Sequence, residues 1–479
     1  MVQVGQFYQG SGLLQPLSDI VGLPLDQINY LSCNAVAFFC AIQMRKRLPG
    51  SIENSQQRLI IELCIGLLLS VFCFGYQIIH MIMYSTIPYL LMLYGPRESF
   101  HKMVFAVVMG YASVMHLYRL YYDFFGFSLD VTGPLMLMTQ KCTSVAFALH
   151  DGTEKDESKL TEDQKKMCIK KTPDMLSYFS YIFCFHGVMA GPLVFYADYI
   201  QFINGENLKV SKPENANNHQ IEKPTPNPET AMKETGLIVG VCGVLMLLSP
   251  IFFPVSKLAD DEFLYETNIL YRNLYLLICV SLVRAKYYFA WKLGELTNQS
   301  AGLGFTGYDE NGKEKWDLLN NVHIWNLETA TSLKINIDSW NIQTLIWLRR
   351  TVYDRTPKAY NTLCVFVVSA WWHGFYPGYY LTFITTAFVL LATRQVRRNI
   401  RPYFQKTDQL KVIYDCITFS ATRMANVYLA SAFCLLSLTA SIKLWISVGF
   451  YIHIFTVVTL VYFTFIKPPK KREEEKKKD

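Results

Sequence analysis

Charge is scarce in this chain. Asp, Glu, Lys and Arg make up 17% of 479 residues, and the surplus of bases is only +7. No basic face is interleaved with stacking aromatics, which argues against nucleic acid as a partner. Metal chemistry has no foothold either. The nine histidines form no HExxH arrangement, and the twelve cysteines contain no CxxC pair or zinc-like cluster. Scattered thiols such as Cys33, Cys40, Cys64 and Cys73 read instead as small apolar packing residues in a reducing or lipid setting. The glycine-rich piece GLGFTG is followed by no GKS or GKT and lies in no parallel-sheet pattern, so it is not a phosphate loop. The first residues, MVQVGQFYQG, lack the basic stretch of a secretory signal peptide. The apolar run that begins near Leu31 is therefore expected to serve as its own membrane signal.

What the chain has in excess is apolar surface. Residues of hydrophobic type make up 51%, aromatics 15%, and mean hydropathy is +0.18. That composition belongs to polytopic membrane proteins. The repeated apolar runs predict an all-α transmembrane bundle of about 11 spans enclosing an internal tunnel. Spans are expected at 30–44, 58–80, 81–94, 102–124, 131–150, 178–199, 236–255 and 268–291, and then beyond residue 360, including 424–442 and 444–466. Residues 1–466 read as a single transmembrane domain, with polar loops at 151–172 and 201–233 and an interfacial stretch of loop and surface helices at 294–340. Arg45, Lys46 and Arg47 after the first span place that end in the cytosol and the amino terminus in the lumen. An odd number of spans puts the charged tail 467–479 in the cytosol. In it, Lys476 and Lys477 match the dilysine arrangement that returns membrane proteins to the endoplasmic reticulum. Asn298-Gln299-Ser300 is a glycosylation sequon by pattern, unused if its region is cytosolic.

The chemistry concentrates between Trp340 and Tyr380. His373 follows an unbroken apolar or small run from Leu363 to Trp372, and Gly374, Phe375 and Tyr376 come next. A helix starting near Asn361 carries it about 18 Å along its axis at 1.5 Å per residue, inside a hydrocarbon layer of about 30 Å. An ionisable group at that depth is costly unless it faces a polar partner or a water-filled cavity, so it marks a functional site. The competing reading is a packed histidine with Trp371 and Trp372 as ordinary packing aromatics; sequence leaves both open. Gly374 and Gly378 fit close helix contact, and Pro377 predicts a bend just after the histidine. Asn341 precedes a helix-like pattern at Ile342, Leu345, Ile346, Leu348 and Val352. It reads either as an N-cap or as an amide facing the same cavity as His373. His186 is a second candidate histidine, with less apolar sequence around it.

These residues resemble the membrane-bound O-acyltransferase family, and within it the lysophospholipid acyltransferase branch. The resemblance rests on Trp372-His373-Gly374 with Gly378-Tyr379, on Asn341 in WNIQTLIWLRRTVYDR, and on Trp316-Asp317. It extends to GPLMLMTQKCTSVAFALHDG and AGPLVFYADYIQFINGE. One departure lies near the end, where Trp445 and Gly449 stand in place of the two tyrosines of the branch's YxxxYFxxH pattern, so His453 receives no role. The resemblance implies transfer of a fatty acyl group from acyl-CoA, a co-substrate, to the free sn-2 hydroxyl of a lysophospholipid, with no cofactor and no metal. His373 becomes the catalytic base and Asn341 its partner, while Trp372, Tyr376, Arg349, Arg350 and Arg355 become substrate-binding candidates, the arginines toward coenzyme A phosphates. The arginines also read simply as a positive-inside boundary. Two other functions remain: an acyltransferase of the same fold acting on a protein or sterol, and a transporter or channel. No inverted repeat is evident for the latter. Headgroup and acyl preference, and any homo-oligomer, are not readable from the sequence.

Overall fold

The computed structural model describes residues 8–126, 128–154, 156–189, 191–209 and 226–466. Among them helices dominate, and sheet is confined to one two-residue antiparallel pairing of Gly307–Tyr308 with Glu314–Lys315. The tail 467–479, its dilysine motif, and residues 210–225 of the 201–233 loop lie outside the described residues. Among the described residues four stretches are long and apolar enough to cross a membrane: Ser55–Tyr94, Phe100–Tyr122, Glu229–Phe252 and Ile269–Ala301. The pair Leu438–Ser447 and Tyr451–Ile466, bent by 80°, makes a possible fifth.

Several expected spans take another form. Residues 30–44 fall in the helix Leu25–Arg47, which is not among the four. Residues 58–80 and 81–94 belong to one apolar stretch, Ser55–Tyr94, interrupted by a short turn at Gly75–Gln77. Residues 178–199 form no span-length helix, because Met175–Phe183 stops before Cys184 and helix resumes only at Tyr196–Ile203. The cause is visible in Lys141. Its buried ammonium donates to Tyr181 O (2.7 Å) and Ile182 O (3.2 Å), supplying the donors that a helix C-terminus lacks. Ile269–Ala301 runs past the expected end at Trp291, so residues 294–301 continue that helix.

The chain forms two compact units. One comprises 1–248, 284–323 and 341–375. Its core gathers Cys73, Phe74, Met81, Tyr84, Tyr178 and Tyr181 between the helices Ser55–Phe74, Ile78–Tyr94, Thr132–Thr153 and Met175–Phe183. Thr132–Thr153 is buried on nearly every side, which explains how Gln140 and Lys141 sit amid apolar residues without facing lipid. The other unit comprises 249–283, 324–340 and, of the described residues, 376–466. There Pro377–Phe404 packs on Asp408–Leu435 so closely at Gly378 that a Cβ would overlap Ala432 O. Gly378 N also donates to Leu436 O (2.8 Å), as the small-residue spacing predicted for that position. His453 lies in this unit, bonded through Nδ1 to the Tyr428 hydroxyl (2.8 Å) and packed on Trp445.

Candidate functional site

His373 is the last residue of the helix Asn361–His373, and after a break at 374–376 the next helix begins at Pro377. Gly374 has φ +114° and ψ −159°, a conformation open only to glycine, so the helix stops here for a backbone reason. The helix Phe100–Tyr122 holds the turn from one side. Ser113 Oγ accepts from Trp371 Nε1 (2.7 Å), and His116 Nε2 donates to Trp372 O (3.2 Å). Because a carbonyl can only accept, that bond fixes the His116 tautomer. From another element Met136 O accepts from Trp372 Nε1 (2.9 Å). Trp372 is therefore a buried anchor, with its indole nitrogen committed, and the His373 ring lies 4.6 Å from it.

Asn341 immediately precedes the helix Ile342–Thr351, as expected, but it does not cap it. Its backbone is left-handed (φ +49°, ψ +51°), a region asparagine tolerates, and its side chain makes no capping bond. Asn321 serves instead. Its backbone oxygen accepts from Ile342 N (2.9 Å), its Oδ1 accepts from Gln343 N (2.9 Å), and its Nδ2 donates to Asn341 Oδ1 (3.1 Å). The same helix is tied to Thr132–Thr153 by Gln140 Nε2 to Thr344 Oγ1 and Trp347 Nε1 to Thr143 Oγ1, each 2.8 Å. The fully buried Trp347 meets Trp372 with ring centroids 5.7 Å apart. The helix that follows Asn341 and the helix that ends at His373 are thus packed side by side. Tyr376 belongs to the other unit, where its ring meets Tyr379 at 6.0 Å.

The three arginines differ. Arg349 is exposed, with Asp354 at 3.8 Å. Arg350 forks onto Asp163 (2.7 and 2.6 Å) over the face of Phe195, and Arg355 forks onto the buried Asp151 (3.0 and 2.6 Å) over Phe147. Hydrogen bonding from Arg350, more than offsetting partial burial, holds the Asp163 carboxyl below the usual carboxylate range. Arg350 and Arg355 line a cavity of about 40 Å³ together with Ser144, Phe147 and Phe195. Among the described residues neither Arg350 Nη1 nor Ser144 Oγ, both buried there, has a hydrogen-bond partner.

His186 is enclosed by hydrogen-bonding partners. It is 2% exposed, with Nδ1 2.7 Å from Asn298 Oδ1 and Nε2 3.0 Å from Glu62 Oε1. Asn298, the sequon asparagine, is fully buried and donates to His186 O and Gly294 O, so no glycan can be attached to it in this fold. Among the described residues no group of His, Cys, Asp and Glu is arranged to hold a metal. The contributions of Ser113, His116 and Asn321 escape sequence reading, since each acts on residues 20 to about 260 positions away, a separation no local pattern reports.

A family model described as the membrane-bound O-acyltransferase family matches residues 116–431. Membrane-bound glycerophospholipid O-acyltransferase 2 of Rattus norvegicus is 39% identical over 468 residues, covering 97% of this chain and 90% of its own length. Membrane-bound glycerophospholipid O-acyltransferase 1 of Homo sapiens is 37% identical over 470 residues, with 96% and 93% covered. A protein named lysophospholipid acyltransferase from Saccharomyces cerevisiae is 31% identical over 411 residues, 82% of this chain and 66% of its own.

Proposed function

Because the chain belongs to the membrane-bound O-acyltransferase family, we propose that it transfers a fatty acyl group from acyl-CoA to the free hydroxyl of a lysophospholipid, in phospholipid remodelling. The observation that supports this reading is that the helix preceded by Asn341 packs, through Trp347, on Trp372, the neighbour of His373 at the end of its helix. A glycerol hydroxyl is a weak nucleophile, so His373 takes its proton as the oxygen attacks the thioester carbonyl. The C–S bond breaks, and the proton passes from His373 to the departing thiolate. Asn341 stabilises the oxyanion formed at the carbonyl, an effect worth about 3 kcal/mol for one well-placed donor. The acyl chain occupies an apolar channel, gaining about 0.8 kcal/mol for each methylene removed from water.

Arg350 and Arg355 are the candidate phosphate partners for coenzyme A. Both are already paired with carboxylates, so a phosphate would compete with Asp163 and Asp151 for them. Arg350 Nη1 and Ser144 Oγ, without a partner among the described residues in the same cavity, favour Arg350 over the exposed Arg349. The reading retains residues 1–466 as one catalytic domain, placed in the endoplasmic reticulum membrane with its tail in the cytosol. The test is to incubate membranes carrying the full chain with labelled acyl-CoA and a panel of lysolipids. Coenzyme-A-dependent product that disappears in His373→Ala, with the variant still folded, supports the reading. Intact protein that yields no product with any lysolipid removes it, and undiminished turnover in His373→Ala removes the histidine from its role.

A further inference from the structure

Asn321, 3% exposed, stands just before the helix Ile324–Glu328 and far in sequence from the residues it serves. Its bonds settle the direction of two side-chain amides in turn. The Gln343 backbone N–H can only donate, so the Asn321 atom 2.9 Å from it is the carbonyl oxygen. The other end of the Asn321 amide is then NH2, which can only donate, so the Asn341 atom 3.1 Å away is Oδ1. Among the described residues nothing accepts from Asn341 Nδ2, and its two hydrogens remain available. The pair is held in place by two further bonds, Ile342 N to Asn321 O (2.9 Å) and Gln343 Nε2 to Leu318 O (2.8 Å).

We infer that Asn321 is a positioning residue which orients the Asn341 amide so that Nδ2, and not Oδ1, is presented to the reacting thioester. The inference rests on the proposed role of Asn341. Negative charge develops on the carbonyl oxygen as the hydroxyl adds, and only a donor stabilises it; a reversed amide would aim its own oxygen at the same charge. Left to itself, an asparagine side chain has two nearly isosteric orientations. The rigid Gln343 amide, relayed through Asn321, selects one.

The test compares Asn321→Asp, Asn321→Ala and Asn341→Ala in the full-length protein, by steady-state acyl transfer and thermal unfolding. Aspartate caps a helix as well as asparagine, so a purely structural role makes Asn321→Asp benign. Here the opposite is expected. The introduced carboxylate still accepts from Gln343 N but cannot donate to Asn341, whose amide turns over. We expect kcat to fall about 100-fold, KM for both substrates to stay within about threefold, and thermal stability to be retained. Lowering the pH protonates the introduced carboxyl and restores a donor, so the ratio of variant to wild-type kcat rises toward acid. If the aspartate variant does not fold, Asn321→Ala carries the test, with an expected loss in kcat of about tenfold at unchanged KM. Wild-type kcat in Asn321→Asp alongside a large loss in Asn341→Ala overturns this inference and leaves the role of Asn341 standing. Wild-type kcat in Asn341→Ala overturns both.

Discussion

Gly374 is where backbone and chemistry meet most closely, and its replacement gives the sharpest test of the site's geometry. Its φ of +114° with ψ of −159° lies in a region that any Cβ makes strained by about 1–3 kcal/mol. A Cβ built there also stands 3.1 Å from His116 Nδ1 and 3.2 Å from its Cγ, tighter than ordinary contact. Two responses are available to Gly374→Ala. The turn keeps its shape and the fold absorbs the strain, or the turn relaxes and carries the preceding residue, His373, with it. Displacement of a reacting group by about 1 Å costs about 100-fold in rate, so the second response is read in kcat long before it is read in unfolding. We expect turnover to fall about 100-fold while the thermal midpoint drops by only a few degrees, consistent with about 2 kcal/mol of strain. Asparagine provides the control. It tolerates the left-handed helical region but not a ψ near −159°, so Gly374→Asn is expected to be as damaging as alanine. Gly22, at φ +75° and ψ +18° with open space around it, is left-handed proper, and Gly22→Asn should leave activity intact. Wild-type turnover in Gly374→Asn, measured in the same acyl-transfer assay, would refute the reasoning.

Arg355→Ala leaves the Asp151 carboxylate, whose side chain is 4% exposed, without its forked partner. Loss of about 3 kcal/mol is expected, seen as a lowered thermal midpoint in detergent. Arg350→Ala removes a more solvated pair and is expected to raise KM for acyl-CoA with little change in kcat, the pattern of lost uniform binding. Asp163 has a folded-state pKa below its unfolded value, so its pairing stabilises the fold above that unfolded value and is lost as the pH falls through the folded one. Asp163→Asn should therefore lower the thermal midpoint slightly at neutral pH, the effect being reduced by solvent exposure. The gap to wild type should close below about pH 4. Lys141→Met strips the donors from Tyr181 O and Ile182 O and should destabilise by about 2 kcal/mol, even after the relief of desolvating a buried ammonium.

The end of the His373 helix was legible because its signals are local: an apolar run, then Gly374, then Pro377. Asn341 was half legible. Its position before a helix follows from the pattern of Ile342, Leu345 and Leu348, and that pattern makes an N-cap the natural reading. The left-handed backbone that prevents capping, and the Asn321 side chain that caps in its place, come from 20 residues away. His186 misled for the opposite reason. A lone histidine in an apolar segment carries no mark of whether Glu62 and Asn298 will enclose it, and here they do.

The broken span at 178–199 belongs to the same pattern. Hydropathy treats a buried lysine, asparagine or histidine as a cost to be tolerated, and counts apolar length as though each run continued through it. In this fold three polar side chains in the interior serve helix ends. Lys141 serves the carbonyls where Met175–Phe183 stops, Asn321 serves the amides where Ile342–Thr351 starts, and His116 serves a carbonyl in the last turn of Asn361–His373. A helix terminus inside the protein leaves backbone groups without partners, and each such terminus requires a polar side chain to reach it. The converse holds as well. Interior helix ends are the places where a reactive side chain can be aimed away from the helix face while its backbone stays satisfied, and both His373 and Asn341 occupy such ends. Apolar length alone therefore says least about the region that holds the candidate residues, because the breaks that shorten the helices there are where those residues stand.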